Sequence, residues 1–308
     1  MIGIDVGGAY LKVVDDGGVH IHYCPLFDGA PIQEILGQHI GSNAAVVMSG
    51  ELADCFESKE EGIGAIVGAV RAIFPRAIFY GTDTAFHSGP VPQLAAANWL
   101  VSADYLREHY PDALFCDIGS TTTDIVPLSR FDELVGLGDL DRLRRGYLSY
   151  HGLLRTSIPT LLRTVSIDGT ALPVATEYFA CAADAHIALG HISPAEYSCP
   201  APDGGDRSRE GALRRLARVV CADLEEIGEE GAVTIARAFW EIQKQEVTTA
   251  VASGAEEAGA DRIIVAGIGS RLWSRILGGT DLRDEMGAYA DGLPAFAVRE
   301  VAERTAGR

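Results

Sequence analysis

The chain opens with short apolar runs that are separated by pairs of glycines. An apolar run from Ile2 to Val6 predicts a strand, and Gly7 with Gly8 predicts a turn before a second strand around Leu11 to Val14. After Gly17 and Gly18, the residues near Val19 to Tyr23 predict a third strand. Short strands joined by glycine turns indicate a β-meander.

Apolar runs then alternate with apolar residues at helical spacing. The predicted elements are helices from about Pro31 to His39, Lys59 to Phe74 and Leu94 to Glu108, with strands from Ala44 to Met48 and Ala77 to Tyr80. The last two helices end before Pro75 and Pro111, because a proline disfavours helical conformation in the residue before it. Strands that alternate with helices predict an α/β fold.

The opening pattern returns in the middle of the chain. The run from Ala113 to Val126 contains Asp117, Gly119 and a following strand, in the same order as Asp5, Gly7 and the strand that ends at Val14. Two copies this far apart predict duplicated lobes rather than a solenoid, whose repeats are about 20 to 50 residues long. We place the boundary near Pro111, which gives lobes of residues 1–111 and 112–308.

The second half of the chain is richer in helical spacing. Helices are predicted from Val174 to Leu189, Arg209 to Glu226 and Ala232 to Ala258. Prolines and glycines between Ser193 and Arg207 predict a loop. A buried strand, Arg262 to Ala266, then leads into a glycine-containing turn and a further helix.

Composition and charge exclude several classes of protein. Hydrophobic residues make up 47% of the chain and charged residues 22%, as in soluble globular proteins. The net charge of -18 argues against sequence-independent binding to nucleic acid or to an anionic membrane. The six cysteines are scattered, and the first residues do not resemble a signal peptide. We therefore expect a cytoplasmic protein with no nucleic-acid and no membrane partner.

Three glycine-containing segments carry the candidate chemistry. They are Asp5 to Ala9, Asp117 to Asp124 and Val265 to Arg271. Glycine turns let a backbone approach phosphate closely, and hydroxyl side chains add hydrogen-bond donors. The predicted phosphate-binding residues in these segments are Gly7, Gly8, Gly119, Ser120, Thr121, Thr122, Gly267, Gly269 and Ser270.

Two aspartates at strand ends are candidate metal ligands. Asp5 and Asp117 suit Mg²⁺, because this ion prefers one or two carboxylates together with phosphate oxygens. Each segment taken alone also fits a tight turn with a solvated aspartate. The three together predict a cleft that binds a small phosphorylated molecule with Mg²⁺.

The order of these segments resembles the two phosphate motifs and the adenosine motif of the actin, hexokinase and heat-shock-chaperone superfamily. The form Asp-Ile-Gly-Ser-Thr-Thr-Thr-Asp at 117–124 is most similar to the hydantoinase/oxoprolinase branch. The resemblance implies a two-lobed, actin-like ATPase fold of the ribonuclease H-like type, with Mg²⁺ and nucleotide in the interlobe cleft. It also implies that a C-terminal helix, Ala295 to Ala306, packs back on the first lobe.

Further segments resemble a narrower group, the furan-methanamine synthases of methanofuran biosynthesis and their bacterial relatives in tetrahydromethanopterin-linked one-carbon metabolism. These segments are Ser49 to Phe56, Leu143 to Thr156, Thr176 to Asp184 and Ser208 to Arg218. The resemblance implies a transferase that condenses an aminomethylfuran-methyl diphosphate with a tyramine- or tyrosine-derived phenol and releases diphosphate.

Such a reaction needs a group that accepts the phenol proton and a group that binds the anionic substrate. The candidates for the catalytic residues are Lys12, Glu177, Asp184 and His151, and Lys12 fits phosphate contact better than proton transfer. Glu177 and Asp184 are seven residues apart, so on the predicted helix they share a face. Arg155 is a candidate clamp for phosphate or carboxylate.

Two other functions use the same residues. An ATP-dependent kinase or hydrolase would seat adenine against Gly267 to Ser270 and would take ATP as its cofactor besides Mg²⁺. A non-enzymatic, nucleotide-dependent assembly protein is the third alternative. The sequence does not specify the acceptor or the oligomeric state.

Overall fold

The computed structural model describes residues 1–29, 31–39 and 43–307, and within them the strands form two large sheets and one hairpin. The strands are β1 (Ile2–Val6), β2 (Tyr10–Asp15), β3 (Gly18–Tyr23), β4 (Ala44–Met48), β5 (Ile78–Tyr80), β6 (Phe86–His87), β7 (Ala113–Ile118), β8 (Thr123–Pro127), β9 (Leu148–Ser149), β10 (Thr164–Ile167), β11 (Thr170–Pro173), β12 (Arg262–Ala266) and β13 (Thr280–Asp281).

Helices cover these sheets and form a separate helical region in the second half of the chain. They are α1 (Ile32–Leu36), α2 (Lys59–Ile73), α3 (Asn98–Leu106), α4 (Phe131–Leu134), α5 (Asp139–Arg145), α6 (Ile158–Leu161), α7 (Ala182–Leu189), α8 (Arg209–Arg218), α9 (Leu224–Ala258), α10 (Ser270–Leu277), α11 (Arg283–Met286) and α12 (Leu293–Ala306). Single 3₁₀ turns lie at Leu26–Asp28, Pro92–Leu94, Leu128–Arg130 and Gly287–Ala290.

The two large sheets have equivalent strand orders. The first sheet runs β3-β2-β1-β4-β5-β6, and the second runs β9-β8-β7-β12-β13. In each sheet a hairpin pairs antiparallel, and the inner hairpin strand then pairs in parallel with a strand from later in the chain. The sheets are therefore mixed, with tight turns joining the antiparallel pairs and longer crossover connections joining the parallel ones.

The strand register confirms the predicted duplication of the strand, glycine turn and strand. Asp5 lies opposite Lys12 across the first hairpin, and Asp117 lies opposite Asp124 across the second. An equivalent backbone hydrogen bond closes the turn of each hairpin. The Gly7 N–H donates to the Tyr10 carbonyl at 2.9 Å, and the Gly119 N–H donates to the Thr122 carbonyl at 2.9 Å.

A shared hydrophobic core joins the two sheets. Val47 of β4, Phe115 of β7 and Val298 of α12 belong to one buried cluster, together with side chains of α3. The C-terminal helix α12 packs against β1 and β4 of the first sheet. Burial of these apolar side chains, at about 25 cal/mol per Å² of apolar surface, holds the sheets beside each other and so positions the turns at their edges.

Several predicted helices have different limits in the structure. The helix predicted from Val174 begins only at Ala182, because Cys181 has an extended backbone and forms a β-bridge with Ser157. The helix predicted from Arg209 to Glu226 ends at Arg218, since Cys221 has a left-handed backbone with a φ of 58°. The helices predicted near Pro31 and Leu94 are shorter, and α9 starts before Ala232.

None of the helices in the described ranges is long and apolar enough to cross a membrane.

Candidate active site

A cleft of about 710 Å³ lies where the two glycine turns face each other. Its walls come from the β1–β2 hairpin, the segment after β4, the β7–β8 hairpin and the segment after β12. Ligands of open α/β sheets bind outside the carboxyl ends of the strands, and β1, β4, β7 and β12 all end at this cleft. We therefore take it as the candidate active site.

Acidic residues dominate the floor of the cleft. Asp5 is 2% exposed, and its Oδ2 lies 3.6 Å from the Lys12 Nζ, while its buried Oδ1 has no hydrogen-bond partner in the described chain. Burial raises the pKa of Asp5, and Lys12 offsets only part of that rise. Burial raises the pKa of Asp117 to about 7, with the carboxylates of Asp124 and Asp5 adding to the effect and Lys12 opposing it.

These carboxylates fit a divalent cation. Asp5 lines the cleft and has one buried oxygen without a hydrogen-bond partner among the described residues, and the pKa of Asp117 stays raised although Lys12 opposes the rise. Oxygen donors from one or two carboxylates are the protein ligands that Mg²⁺ takes when phosphate and water fill its other positions. Asp5 and Asp117 are thus the residues that would hold Mg²⁺.

A further aspartate of the cleft, Asp124, has a different partner. Asp124 forms an ion pair with Arg142, whose guanidinium is 2% exposed and lies 4.3 Å from the centre of the Trp99 ring. Arg142 also donates to Asp139 at 3.0 Å. Burial raises the pKa of Asp124, and Arg142 opposes that rise. Because Arg142 already neutralises Asp124, Asp5 and Asp117 are the better metal ligands.

Most of the predicted phosphate-binding residues line this cleft. Gly7, Gly8 and Lys12 lie on one side, and Gly119, Ser120, Thr121 and Thr122 lie on the other. Gly152 packs under the second turn so closely that a Cβ would lie 2.4 Å from the Thr121 backbone. Gly267 has a left-handed φ of 82°, and a Cβ there would lie 2.3 Å from the Asp117 Oδ1. Gly152 and Gly267 therefore allow neighbouring segments to pack directly against the second turn and against Asp117.

Two residues of the third segment lie behind the cleft rather than in its wall. The Gly269 N–H donates to the Ile118 carbonyl at 2.9 Å, and a Cβ at Gly269 would overlap the Ile118 side chain. Ser270 is fully buried at the start of α10, and its N–H donates to the Gly267 carbonyl. Both residues fix the path of the turn, whereas Gly267 and Ile268 face the cleft.

Three of the four predicted catalytic residues also lie outside the cleft wall, and only Lys12 lines it. The His151 carbonyl accepts from the Thr123 hydroxyl at 2.6 Å, and burial lowers the pKa of its ring. The exposed Glu177 precedes α7, so it does not share a helix face with Asp184 and that prediction is wrong.

Asp184 is part of the protein core. Its Oδ1 lies 2.8 Å from the Arg215 guanidinium, and its Oδ2 accepts from the Cys181 N–H at 3.0 Å. Asp184 and Arg215 are 0% and 1% exposed. A carboxylate with these bonds stabilises the junction of α7 and α8 and has no path to a substrate in the cleft.

Sequence patterns missed a buried carboxyl group that faces the cleft. Glu51 is 1% exposed, it lines the cleft, and its Oε2 has no hydrogen-bond partner among the described residues. Burial raises the pKa of Glu51, and Asp139 adds to that effect. Its position after the carboxyl end of the buried parallel strand β4 is the signal that could have identified it.

The cleft also has exposed aromatic walls, and Arg155 lies beside them. Tyr23, Phe27 and Tyr150 line it, and each is at least 40% exposed. Arg155 lies over the Phe27 ring, 5.7 Å from its centre, and makes no ion pair in the part of the chain that the structure describes. Large exposed aromatic rings around an unpaired guanidinium favour a flat, anionic ligand.

The loop predicted between Ser193 and Arg207 closes the rim of the cleft. Glu196 and Ser198 line the cleft, and the Ser198 Oγ lies 2.7 Å from the Tyr10 hydroxyl. This bond joins the first hairpin to the second half of the chain.

Two equivalent mixed sheets and a cleft with a carboxylate from each define a two-lobed α/β protein of the actin- and hexokinase-like class. The family model of hydantoinase/oxoprolinase matches residues 43–283, and the chain belongs to this family. The predicted family and fold class are thereby confirmed.

The chain is similar to two archaeal proteins of one name, (4-{4-[2-(gamma-L-glutamylamino)ethyl]phenoxymethyl}furan-2-yl)methanamine synthase. The protein of Methanocaldococcus jannaschii is 29% identical over 322 aligned residues, which cover 99% of this chain and 98% of that protein. The protein of Methanococcus vannielii is 32% identical over 161 residues, which cover 52% of this chain and 72% of that protein.

Solved structures with a similar arrangement are more distant in sequence. A nucleotide-free acetone carboxylase is 10% identical with a TM-score of 0.46, and the match covers 94% of this chain and 51% of that one. A ROK hexokinase from Thermus thermophilus is 16% identical with a TM-score of 0.37, and the match covers 97% of both chains.

Proposed function

We propose that this protein is a transferase of methanofuran-type cofactor biosynthesis that forms an aryl ether in the cleft. The methylene carbon of an aminomethylfuran-methyl diphosphate loses its bond to the diphosphate oxygen, which leaves with the electron pair. The oxygen of a tyramine- or tyrosine-derived phenol forms the new bond to that carbon. The phenol proton goes to a base on the protein, and diphosphate is released.

Two chemically different sets of side chains in the cleft carry this proposal. Asp5, Asp117 and the hydroxyl-bearing turn suit a diphosphate with its cation. The exposed rings of Tyr23, Phe27 and Tyr150 suit two aromatic substrates. Similarity over nearly the full length of the Methanocaldococcus jannaschii synthase supports the same assignment.

The aspartates and the hydroxyl-bearing turn would orient and stabilise the leaving group. Mg²⁺ held by Asp5 and Asp117 would neutralise the negative charge that develops on the diphosphate. Lys12 and the hydroxyls of Ser120 to Thr122 would fix its orientation by donating hydrogen bonds to its oxygens.

Glu51 is the group we assign to accept the phenol proton. Its carboxyl group is buried beside the cleft, and one oxygen has no partner among the described residues. A carboxyl group with a raised pKa is a stronger base once it is ionised, so it takes a proton more readily than a solvated glutamate does. Arg155, which lies over the Phe27 ring, would bind a carboxylate of the acceptor.

Calorimetric titration with Mg²⁺ and either inorganic diphosphate, ATP or ADP tests whether the aspartates and the hydroxyl-bearing turn bind diphosphate. We expect diphosphate to bind at least as tightly as ATP or ADP, because the phosphate groups make the contacts and no adenine pocket is needed. Tight binding of ATP with weak binding of diphosphate would contradict the proposal and would favour the ATP-dependent kinase or hydrolase.

The role of Glu51 is tested by Glu51→Gln in a condensation assay. Removal of a general base lowers the rate by about 10²- to 10⁴-fold, so we expect kcat to fall by at least about 10²-fold with little change in diphosphate affinity. The matched control is Glu57→Gln, which changes an exposed glutamate six positions later. A general base also makes the rate fall at low pH, where it is protonated, and Glu51→Gln should abolish this fall. Equal rates for the two variants, or the same fall at low pH in both, would refute this role.

A further inference from the structure

A cluster of histidines lies on the first sheet, away from the cleft. His20 and His22 are two residues apart in β3, so their side chains point to the same face of the sheet. Ile21 and Tyr23 alternate with them and line the cleft, so the histidines face the opposite side. His39, which follows α1, packs against both rings, with centroid separations of 4.9 and 5.3 Å.

Asp15, at the end of β2, completes the cluster. Its Oδ1 lies 3.0 Å from the His20 Nε2, and its Oδ2 lies 2.8 Å from the His39 Nδ1. One donor atom from each of these three residues lies within 4.8 Å of the other two. Two ligand atoms on a tetrahedral Zn²⁺, each about 2.0–2.1 Å from the ion, are about 3.3 Å apart. The Asp15–His20 and Asp15–His39 distances are near this value, each measured to a different carboxylate oxygen, and the set of three donor atoms lies within 4.8 Å.

His22 occupies the position of an outer partner. Its Nε2 lies 3.1 Å from the His39 Nε2, on the side of the ring away from Asp15. A histidine that binds metal through one ring nitrogen almost always donates its other N–H to an acceptor, which fixes the tautomer and the ring orientation. The Nε2 of a neutral His22 ring can accept that hydrogen bond.

The Asp15 carboxylate is held in place by its neighbours. Its Oδ1 accepts from the Gly17 N–H at 2.8 Å, and its two oxygens lie within hydrogen-bond distance of the His20 and His39 rings. Its side chain is 15% exposed, and that of His39 is 5% exposed, so the site is partly shielded from water.

We propose that Asp15, His20 and His39 bind one transition-metal ion of the zinc type, with His22 as the hydrogen-bond partner of His39. Imidazole ligands select Zn²⁺, Co²⁺ or Ni²⁺ over Mg²⁺, so this site and the carboxylates of the cleft would take different ions. The ion would connect the β2–β3 hairpin to the segment after α1, and its role would be to stabilise the first sheet.

Metal binding by the full chain tests the proposal. The protein is freed of metal with a chelator, equilibrated with Zn²⁺ in the presence of excess Mg²⁺, passed over a desalting column and analysed for metal content. We expect about one Zn²⁺ per chain, and visible ligand-field bands of tetrahedral coordination when Co²⁺ replaces Zn²⁺. A metal content well below one, or only octahedral Co²⁺ spectra, would overturn the proposal.

Variants separate this site from adventitious binding to an acidic protein. His20→Ala removes a ligand whose side chain is 38% exposed, so the variant should fold, and we expect at least a tenfold loss of Zn²⁺ affinity. His22→Ala removes only the outer partner and should cost about 10- to 100-fold. The control is His87→Ala, at a histidine that pairs with Asp83 alone, and it should bind as the wild type does.

Thermal unfolding gives a second readout. Zn²⁺ should raise the melting temperature of the wild type and of Asp5→Asn, in which the cleft site is impaired, but not that of His20→Ala. Equal Zn²⁺ affinity and equal stabilisation in wild type and His20→Ala would refute the site. The cluster would then be a hydrogen-bonded polar group without a metal.

Discussion

Replacing Gly267 with alanine should damage the fold and the metal site together. Gly267 has a left-handed backbone, which costs a residue with a Cβ about 1–2 kcal/mol. The added Cβ would also lie 2.3 Å from the Asp117 Oδ1 and 2.6 Å from the Ile118 carbonyl oxygen. The carbonyl belongs to a buried strand and cannot move freely, so overlap of this kind adds about 1–3 kcal/mol. We expect a total loss of about 2–5 kcal/mol.

A second glycine provides the matched control. Gly278 ends α10 with a φ of 65°, and a Cβ there would meet nothing within 4 Å. Gly278→Ala should therefore cost only the backbone strain, about 1–2 kcal/mol. The difference between the two variants measures the close approach of Gly267 to Asp117.

Two measurements test this reasoning. Urea unfolding followed by circular dichroism should give a lower midpoint for Gly267→Ala than for Gly278→Ala. Calorimetry should show at least a tenfold loss of Mg²⁺ affinity for Gly267→Ala, because the Cβ displaces the Asp117 carboxylate, and little change for Gly278→Ala. Equal midpoints and equal Mg²⁺ affinities would refute the argument that Gly267 sets the position of Asp117.

Two further predictions concern charged groups. With a pKa of about 7, Asp117 keeps its proton below pH 7 and loses it above. The Mg²⁺ affinity measured by calorimetry should therefore rise about tenfold from pH 6 to pH 8. An affinity that does not change with pH would show that Asp117 is ionised throughout. Asp184→Asn leaves the buried Arg215 short of a counter-charge and should cost about 3 kcal/mol of unfolding free energy, whereas Glu210→Gln, at an exposed pair, should cost less than about 1 kcal/mol. Similar unfolding midpoints for these two variants would contradict the structural role of Asp184.

The floor of the cleft could be predicted from sequence because the pattern that marks it is local. Asp5 and Asp117 each follow an apolar strand and precede a glycine turn, so a repeat within a few residues marks both. Their opposite residues, Lys12 and Asp124, follow from the hairpin register. The repeated pattern of strand, turn and strand therefore predicts both the fold class and the floor of the cleft.

Other residues of the cleft could not be assigned from local pattern, because their positions depend on contacts between distant segments. Glu51 lies in an irregular segment, where only its place after β4 marks it, and Arg142 reaches Asp124 from a short helix. Local pattern was also overridden before α7, where the bridge between Ser157 and Cys181 holds the chain extended. Tertiary pairing of this kind outweighs helix propensity, which is less than about 1 kcal/mol for most residues.

The histidine cluster combines both situations. Strand alternation places His20 and His22 on one face, which the sequence pattern of β3 already indicates. His39 joins them only because α1 packs on that face of the sheet, with Leu36 in the same core as Leu11 and Val13.

The most direct test of the central proposal is a condensation assay with purified protein, Mg²⁺, an aminomethylfuran-methyl diphosphate and a panel of phenols that includes tyramine, tyrosine and their γ-glutamyl forms. We predict an aryl ether, detected by mass spectrometry, and one released diphosphate per ether formed, with no requirement for ATP. Absence of the ether with every phenol, together with ATP hydrolysis or phosphorylation of a substrate, would contradict the proposal.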